Sequence, residues 1–255
     1  MNKTIYQTAW DSLEKRFPYP KKARKVKTVD YKKFKQEVLN ESPAFVKEIT
    51  SSLFSGDIYI LKGAYRKEFM EYLRTVADEN DIMLIYDEVQ SGVGITGKMW
   101  AHEHYGERAR PDIISFGKKT QVCGIFASNR VDEVENNVFH ESSRINSTWG
   151  GNLVDMVRFT LYLEIIEKEN LVAQASKTGT YLLSQLEQLS EEYSNISNAR
   201  GKGLFCAFDL PSGDDRDVLA NLIAKEGALI LGCGLRSIRF RPHLIITREE
   251  IDLGI

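Results

Sequence analysis

The sequence predicts an α/β protein with a mainly parallel sheet in its first lobe and a smaller α+β unit in its second, C-terminal lobe. Two continuous apolar runs, residues 82–86 and 113–116, predict strands of such a sheet, because parallel strands are usually covered on both faces. Strands and helices alternate up to about residue 150, and two long amphipathic helices with several short strands follow. This change of pattern predicts two lobes in one chain.

The first lobe is predicted to begin with a helix after Arg66. Apolar residues recur there at helical spacing, at Phe69, Met70, Leu73, Val76 and Ala77. The strand over residues 82–86 comes next, and a glycine-rich loop leads on to the strand over residues 113–116. A third short strand is predicted within residues 122–127.

The second lobe is predicted to begin with its two longest helices. The helices of this lobe are expected over residues 153–169, 171–193 and 214–226. Its strands are expected over residues 203–210, 228–231 and 237–240. Thr247 and Glu250 have the spacing of a capping box, which predicts a last helix of which this sequence holds only two turns.

Composition limits the classes of protein to which the chain can belong. With 255 residues and 42% hydrophobic content, it can bury a sizeable core. A net charge of −2 gives no electrostatic case for binding nucleic acid, and no apolar run approaches the ~20 residues that span a bilayer. Three cysteines without a CxxC pair fit a reducing compartment, and the first residues lack a signal-peptide core. We therefore expect a cytoplasmic protein without nucleic-acid or membrane partners.

Residues 1–62 form a separate, basic N-terminal segment. Its positive side chains are concentrated at Lys21, Lys22, Arg24, Lys25, Lys27, Lys32, Lys33 and Lys35. Such a run is either a solvated segment or a contact for an anion, and the few interleaved aromatic residues favour the solvated segment. Residues 57–61 have the composition of a short strand.

Two functional groups stand where the two apolar strands end. Asp87 closes the first run, and Lys118 follows the second. A pyridoxal phosphate (PLP) enzyme needs this pair, because the lysine forms a Schiff base and the acid keeps the pyridine nitrogen protonated. Chemistry alone does not separate Lys118 from Lys119, nor a catalytic acid from one that caps a loop.

The same run also resembles a nucleotide-binding signature. An apolar strand ending in Asp87 and Glu88 is typical of a Walker B segment, and residues 92–98 nearly fit a phosphate loop. Met99, however, stands where that loop has the hydroxyl that ligates magnesium. The acidic strand also precedes the glycines, and both departures disfavour an ATPase.

Other polar residues are candidates for binding small molecules. Gln90 can hydrogen-bond a ring hydroxyl or cap a turn, and residues 146–152 can bind phosphate or merely cap the following helix. Arg239 and Arg241 alternate along one predicted strand and share a face, where they either grip a carboxylate or are solvated. We predict no metal site and find no serine or cysteine nucleophile motif.

Four segments carry a resemblance to a known family. They are Asp-Glu-Val-Gln-Ser-Gly at 87–92, Phe-Gly-Lys-Lys-Thr-Gln-Val-Cys-Gly at 116–124, Ile-Asn-Ser-Thr-Trp-Gly-Gly-Asn at 145–152 and Ile-Arg-Phe-Arg-Pro at 238–242. Together they resemble the class III, ornithine/GABA-type PLP-dependent aminotransferases, and the run after the lysines resembles the lysine-acting branch. The resemblance covers roughly residues 66–255.

Membership of that family implies an architecture. The fold is expected to be the fold type I PLP-dependent transferase. Residues 63–152 would form part of the large PLP-binding domain, and residues 153–255 an interdomain helix with the C-terminal small domain. The resemblance also implies a homodimer with shared sites.

The resemblance implies roles for the residues around the cofactor. Lys118, the first of the lysine pair, would be the Schiff-base lysine and the proton shuttle, and Asp87 would pair with the pyridinium nitrogen. Val89 would pack against the ring, and Gln90 would hydrogen-bond its oxygen.

Further implied roles concern the phosphate and the substrate. Ser147 and Thr148 would bind the cofactor phosphate, with Thr148 reaching across the dimer interface. Arg239 would hold the carboxylate of lysine or 2-oxoglutarate, and Asn146 would lie nearby.

The implied reaction transfers the ε-amino group of L-lysine to 2-oxoglutarate, giving 2-aminoadipate 6-semialdehyde and glutamate. Family members are longer than this chain. Their phosphate-cradling turn, the aromatic residue that stacks on the cofactor ring and their gating glutamate have no counterpart before residue 66. Tyr59 would stand at the position of the glutamate. The alternative is therefore a truncated, catalytically impaired aminotransferase remnant. We expect weak or no turnover from the isolated chain.

Overall fold

The computed structural model describes residues 67–79, 81–145 and 147–255, without the side chains of Glu68, Phe69 and Val76. The basic segment at 1–62, the short strand predicted at 57–61 and Asn146 lie outside the described residues.

A three-stranded sheet organises the first lobe. The elements in chain order are α1 (Lys67–Glu79), β1 (Ile85–Asp87), β2 (Ile113–Phe116) and β3 (Gly124–Ala127). Strand β2 lies in the middle, parallel to β1 and antiparallel to β3, and Asp87 is opposite Ser115. The described sheet is therefore mixed, and the carboxyl ends of β1 and β2 meet at one edge.

Strand β1 is shorter and more exposed than the apolar run predicts. It occupies three residues, and Ile85 is 59% exposed. Tyr86 is buried, and its hydroxyl donates to the Ala109 carbonyl oxygen at 2.9 Å. On β3, Ile125, which lies on the same face as Ile85 and Asp87, is 41% exposed. The expectation of a sheet covered on both faces is thus wrong for the described residues, which leave one face of this sheet open.

The second lobe contains four helices and a four-stranded sheet. The helices are α2 (Leu153–Lys168), α3 (Leu171–Glu192), α4 (Gly213–Lys225) and α5 (Arg248–Gly254). The strands are β4 (Ser197–Lys202), β5 (Phe205–Asp209), β6 (Leu231–Cys233) and β7 (Ser237–Phe240). The sheet is antiparallel throughout, in the order β4-β5-β7-β6. Its core includes Leu182, Leu186, Cys206, Phe208, Ile238 and Ile251.

Helix predictions in this lobe are more accurate than strand predictions. The ends of α2, α3 and α4 lie within one residue of the predicted ends. The capping box is confirmed, because Thr247 Oγ1 accepts from the Glu250 backbone at 3.2 Å and Glu250 accepts from the Thr247 backbone at 2.8 Å. The strand predicted at 228–231 begins only at Leu231, and β4 was not predicted because its sequence is almost entirely polar.

A buried glycine-rich stretch of the first lobe, residues 91–97, packs against the second lobe; we call it the glycine loop. Residues 91–96 are all buried, and the Leu204 backbone N–H donates to the Ile95 carbonyl oxygen at 2.8 Å. A Cβ added to Gly203, in the turn between β4 and β5, would lie 2.4 Å from the Thr96 backbone. This packing leaves no open cradle for a phosphate, so the nucleotide-binding alternative fails.

Candidate active site

The carboxyl ends of β1 and β2 bring the predicted acid and the predicted lysine to one edge of the sheet. Asp87 is the last residue of β1 and is opposite Ser115. Lys118 follows β2 by two residues, and both side chains are exposed. Parallel neighbours end at the same edge of a sheet, which is where ligands of α/β proteins usually bind.

The Asp87 carboxylate is oriented by two hydrogen bonds. Its Oδ1 accepts from the Val89 backbone N–H at 3.0 Å and from the Ser115 hydroxyl at 3.0 Å. Among the described residues both bonds fall on Oδ1, so Oδ2 can accept a proton donor from a ligand. A fixed, exposed carboxylate with an available oxygen fits a pyridinium N–H.

The two adjacent lysines have different surroundings. Lys118 is exposed, whereas Lys119 is partly buried and its ammonium group donates to the Gln90 carbonyl oxygen. Burial, with a contribution from the nearby Arg241 guanidinium, lowers the pKa of Lys119 to about 7. Lys118 is therefore the lysine whose side chain is open to a ligand, whereas Lys119 is held against the main chain.

Gln90 connects the first lobe to the two arginines of the second. Its Oε1 accepts from Arg239 Nη1 at 3.1 Å and from Arg241 Nη1 at 2.9 Å. Arg239 in β7 and Arg241, one residue beyond its end, therefore share one side of the chain, as the alternation predicts. The alternative in which both are solvated edge charges is wrong, because both are partly buried and engage the same amide oxygen. With Oε1 held by the two arginines, the NH₂ group is the part of the Gln90 side chain that can donate to a ligand.

Glu88 is a buried anchor that the sequence analysis missed. Its carboxylate accepts from the backbone N–H groups of Ala101 at 2.6 Å and His102 at 2.9 Å, and it contacts His102 Nδ1 at 2.8 Å. It is 2% exposed, whereas the adjacent Asp87 is exposed. Glu88 therefore holds in place the segment that leads from Asp87 to Gln90. An Asp-Glu pair at a strand end does not indicate which acid is buried.

The predicted phosphate-binding residues lie in an exposed turn before α2. Ser147 and Thr148 are exposed, and the turn is closed by the Gly150 N–H donating to the Ser147 carbonyl oxygen at 3.0 Å. Asn152 caps α2, because its Oδ1 accepts from the Val154 N–H at 2.9 Å. No described hydrogen bond links this turn to the sheet edge, so the cofactor role of Ser147 and Thr148 stays a prediction.

A cavity of about 220 Å³ lies in the second lobe. It is lined mostly by apolar residues, among them Leu182, Ile230 and Ile251, together with Arg239 and Arg241. Neither Asp87 nor Lys118 lines it. The cavity is therefore not the site in which the acid and the lysine would act.

The fold and the sheet edge agree with a family assignment made by comparison. The model of the family described as aminotransferase class III matches residues 62–255. The chain belongs to the class III aminotransferases, which are PLP-dependent enzymes of the fold type I architecture. The resemblance drawn from the four sequence segments is thus confirmed.

Within the family, the chain is similar to enzymes that act on lysine. The L-lysine-epsilon aminotransferase of Amycolatopsis lactamdurans is 47% identical over 193 residues, which cover 75% of this chain and 42% of the relative. The Streptomyces clavuligerus enzyme is 49% identical over 190 residues, covering 74% and 41%. The structure of lysine aminotransferase from M. tuberculosis in the internal aldimine form matches with a TM-score of 0.70 at 47% identity, covering 74% and 43%. This chain spans about two-fifths of the length of these relatives.

Proposed function

We propose that this chain carries the lysine-bearing part of a PLP-dependent L-lysine 6-aminotransferase. The reaction transfers the ε-amino group of L-lysine to 2-oxoglutarate and gives 2-aminoadipate 6-semialdehyde and glutamate. The observation that carries the proposal is the placement of Asp87 and Lys118 at adjacent carboxyl ends of β1 and β2. Identity of 47% and 49% to L-lysine-epsilon aminotransferases supports lysine as the amino donor.

The proposed chemistry divides between the acid and the lysine. Pyridoxal phosphate, when bound, supplies a reactive aldehyde and an electron-withdrawing ring. Asp87 would accept the ring N–H through Oδ2, while Val89 and Ser115 hold its other oxygen. The exposed Nζ of Lys118 would attach the cofactor and then move a proton to and from the reacting carbon of the substrate.

The remaining residues would orient the cofactor and the substrate. Gln90 has its amide oxygen bound to the arginines, which supports its NH₂ group as the donor to the ring oxygen. Arg239 would bind the carboxylate of lysine or 2-oxoglutarate, because a guanidinium offers two parallel N–H bonds to such a group. Ser147 and Thr148 are proposed to bind the phosphate, with Asn146 close to the substrate.

We also propose that the chain works as a cytoplasmic homodimer without nucleic-acid or membrane partners. One face of α2 supports an interface, because apolar residues at helical spacing are exposed: Leu153 80%, Val157 61%, Leu161 52% and Ile165 46%. A contiguous exposed apolar patch commonly marks a protein–protein contact. None of the helices that the structure describes is long and apolar enough to cross a bilayer. We further propose that the part of the large PLP-binding domain in this chain ends at residue 152, and that the interdomain helix and small domain begin at residue 153.

A second candidate, a catalytically impaired remnant of such an enzyme, is favoured by one observation. Ile85 is 59% exposed, and Asp87 and Lys118 are exposed beside it, so the described residues leave water access to the site. Exclusion of water strengthens electrostatic interactions in an active site and prevents side reactions. The open edge is the reason that we expect slow turnover from this chain by itself.

An amino-transfer assay tests the proposed function. The purified chain with PLP, L-lysine and 2-oxoglutarate should form glutamate slowly, and Lys118→Ala should lower the rate by about 100-fold or more, because the proton shuttle is lost. 4-Aminobutyrate should be a poorer donor than lysine. Lys98→Ala, an exposed lysine next to the glycine loop, is the matched control and should retain the rate. Glutamate formation that does not depend on Lys118, or no glutamate at all, would favour the remnant.

A further inference from the structure

The turn that follows β2 is fixed by a buried threonine. Thr120 is fully buried, and its Oγ1 lies 3.0 Å from the Gly117 carbonyl oxygen and 2.9 Å from the Val122 carbonyl oxygen. Its backbone N–H also donates to the Gly117 carbonyl oxygen, at 3.2 Å. With the turn held in this way, Lys118 is exposed and Lys119 is partly buried.

The contact made by Lys119 joins two strand ends. Its Nζ donates to the carbonyl oxygen of Gln90, which lies three residues beyond Asp87. Gln90 is part of a turn that the Gly92 N–H closes by donating to the Glu88 carbonyl oxygen at 2.9 Å. In the part of the chain that the structure describes, the Lys119 bond is the one hydrogen bond between residues 117–122 and residues 88–92.

The charges around Lys119 disfavour its ammonium form. Burial, followed by the Arg241 guanidinium just beyond β7 and by Lys118 in the same turn, lowers its pKa to about 7. Glu88, just beyond β1, acts in the opposite direction, but its carboxylate is bound to two backbone N–H groups. No carboxylate among the described residues forms an ion pair with Lys119. Lys119 therefore loses its charge near pH 7, and an amine in either form can donate an N–H.

We propose that Lys119 is a positioning residue, which ties the turn that carries Lys118 to the segment that follows β1. This inference rests on the proposed function, in which Lys118 attaches the cofactor and Gln90 contacts its ring. Gln90 is then held at two points, by Lys119 at its main-chain oxygen and by Arg241 at Oε1, at 2.9 Å. Because a protonated Lys119 sets a second cation against this guanidinium, the uncharged amine forms the tie best.

Hydrogen exchange of the full chain without PLP, followed by mass spectrometry, tests the tie. Lys119→Met removes the donor but keeps an unbranched side chain, so peptides covering residues 88–92 should exchange about tenfold faster. Peptides from β5 and β7 should be unaffected, because the loss is local. Lys98→Met makes the same change at an exposed lysine and should alter neither region. Unchanged exchange over residues 88–92 in Lys119→Met would overturn the proposal.

The pH dependence of stability tests the uncharged form. Between about pH 7 and the ordinary lysine pKa of 10.5, the unfolded chain keeps a proton at Lys119 that the folded chain has released. Raising the pH therefore stabilises the folded state. From pH 7 to pH 9, the equilibrium constant for unfolding in urea should fall by about tenfold more in the unsubstituted chain than in Lys119→Met. Parallel pH profiles would contradict the proposal.

A second variant tests the same point without changing Lys119. Arg241→Gln removes the neighbouring cation, so Lys119 keeps its proton to a higher pH. The gain in stability should then begin at a higher pH than in the unsubstituted chain. A gain that begins at the same pH would show that the two cations do not face each other.

Labelling of Lys118 connects the tie to the proposed function. At equal PLP concentration, Lys119→Met should lower the borohydride-trapped adduct at Lys118 by about tenfold, whereas Lys98→Met should retain it. Undiminished labelling in Lys119→Met would overturn the positioning role and leave the proposed function standing. If no variant forms an adduct, the proposed function fails, whereas faster exchange and the altered pH profile would still support the tie.

Discussion

Replacing Gly179 by alanine should destabilise the chain by about 3 kcal/mol or more, because no room exists for a methyl group. A Cβ at Gly179, inside α3, would lie 2.0 Å from the Gly203 carbonyl carbon. That atom cannot move easily, since Gly203 in turn packs against the Thr96 backbone of the glycine loop. Helix α3, the β4–β5 turn and the glycine loop are thus stacked backbone to backbone, and the substitution forces them apart.

Urea unfolding followed by circular dichroism measures this effect. Gly254→Ala is the matched control, because a Cβ there meets nothing within 4 Å and the residue lies at the end of α5. Its change should be about 1 kcal/mol or less, in the stabilising direction. Equal unfolding midpoints for Gly179→Ala and the unsubstituted chain would show that the three segments do not pack as described.

Replacing Glu88 by glutamine should also destabilise the chain strongly, by about 3 kcal/mol. Both carboxylate oxygens accept backbone N–H groups, from Ala101 and His102, and the residue is 2% exposed. Glutamine keeps the shape, but its NH₂ group must face one of these donors, so two donors oppose each other in a buried place. The segment from Asp87 to Gln90 would lose its anchor.

The same unfolding measurement applies to Glu88→Gln, with Glu103→Gln as the control. Glu103 is an exposed glutamate that follows Ala101 and His102, the two backbone donors to Glu88. Its Oε1 accepts one bond, from the Trp100 backbone N–H at 2.7 Å. Glutamine can still accept that bond, so the control should change stability by about 0.5 kcal/mol or less. A Glu88→Gln variant as stable as the Glu103→Gln variant would contradict the anchoring role.

Periodicity and capping identified most of the elements that the structure shows. Helix α3 and strands β2 and β7 follow from apolar residues that each element buries against a core. Helix α2 was predicted from the same kind of spacing, although Ile166 is its one buried residue. Strand β4 escaped prediction, since its polar sequence pairs with β5 through backbone bonds that no side-chain pattern reveals. The exposure of Ile85 also could not be predicted, because an apolar run does not show which residues cover it.

The site was predictable only where a local pattern or a resemblance marks a residue. Asp87 and Lys118 end apolar runs, and the structure places them at one edge as expected. The contact between Gln90 and Arg239 joins residues 149 positions apart, and no local pattern encodes it. Likewise, Lys118 and Lys119 are equivalent in sequence terms, and only the fold shows that Lys119 is bound to the Gln90 carbonyl oxygen.

Lys118 is the residue that we expect to bind PLP, and reductive labelling of the chain tests this assignment. The purified chain is mixed with PLP, reduced with borohydride, digested and mapped by mass spectrometry. We predict a single pyridoxyl adduct at Lys118. An adduct at Lys119 would contradict the assignment of Lys118. No adduct, or labelling scattered over exposed lysines such as Lys98 and Lys202, would also contradict it and would identify the chain as a remnant without a cofactor site.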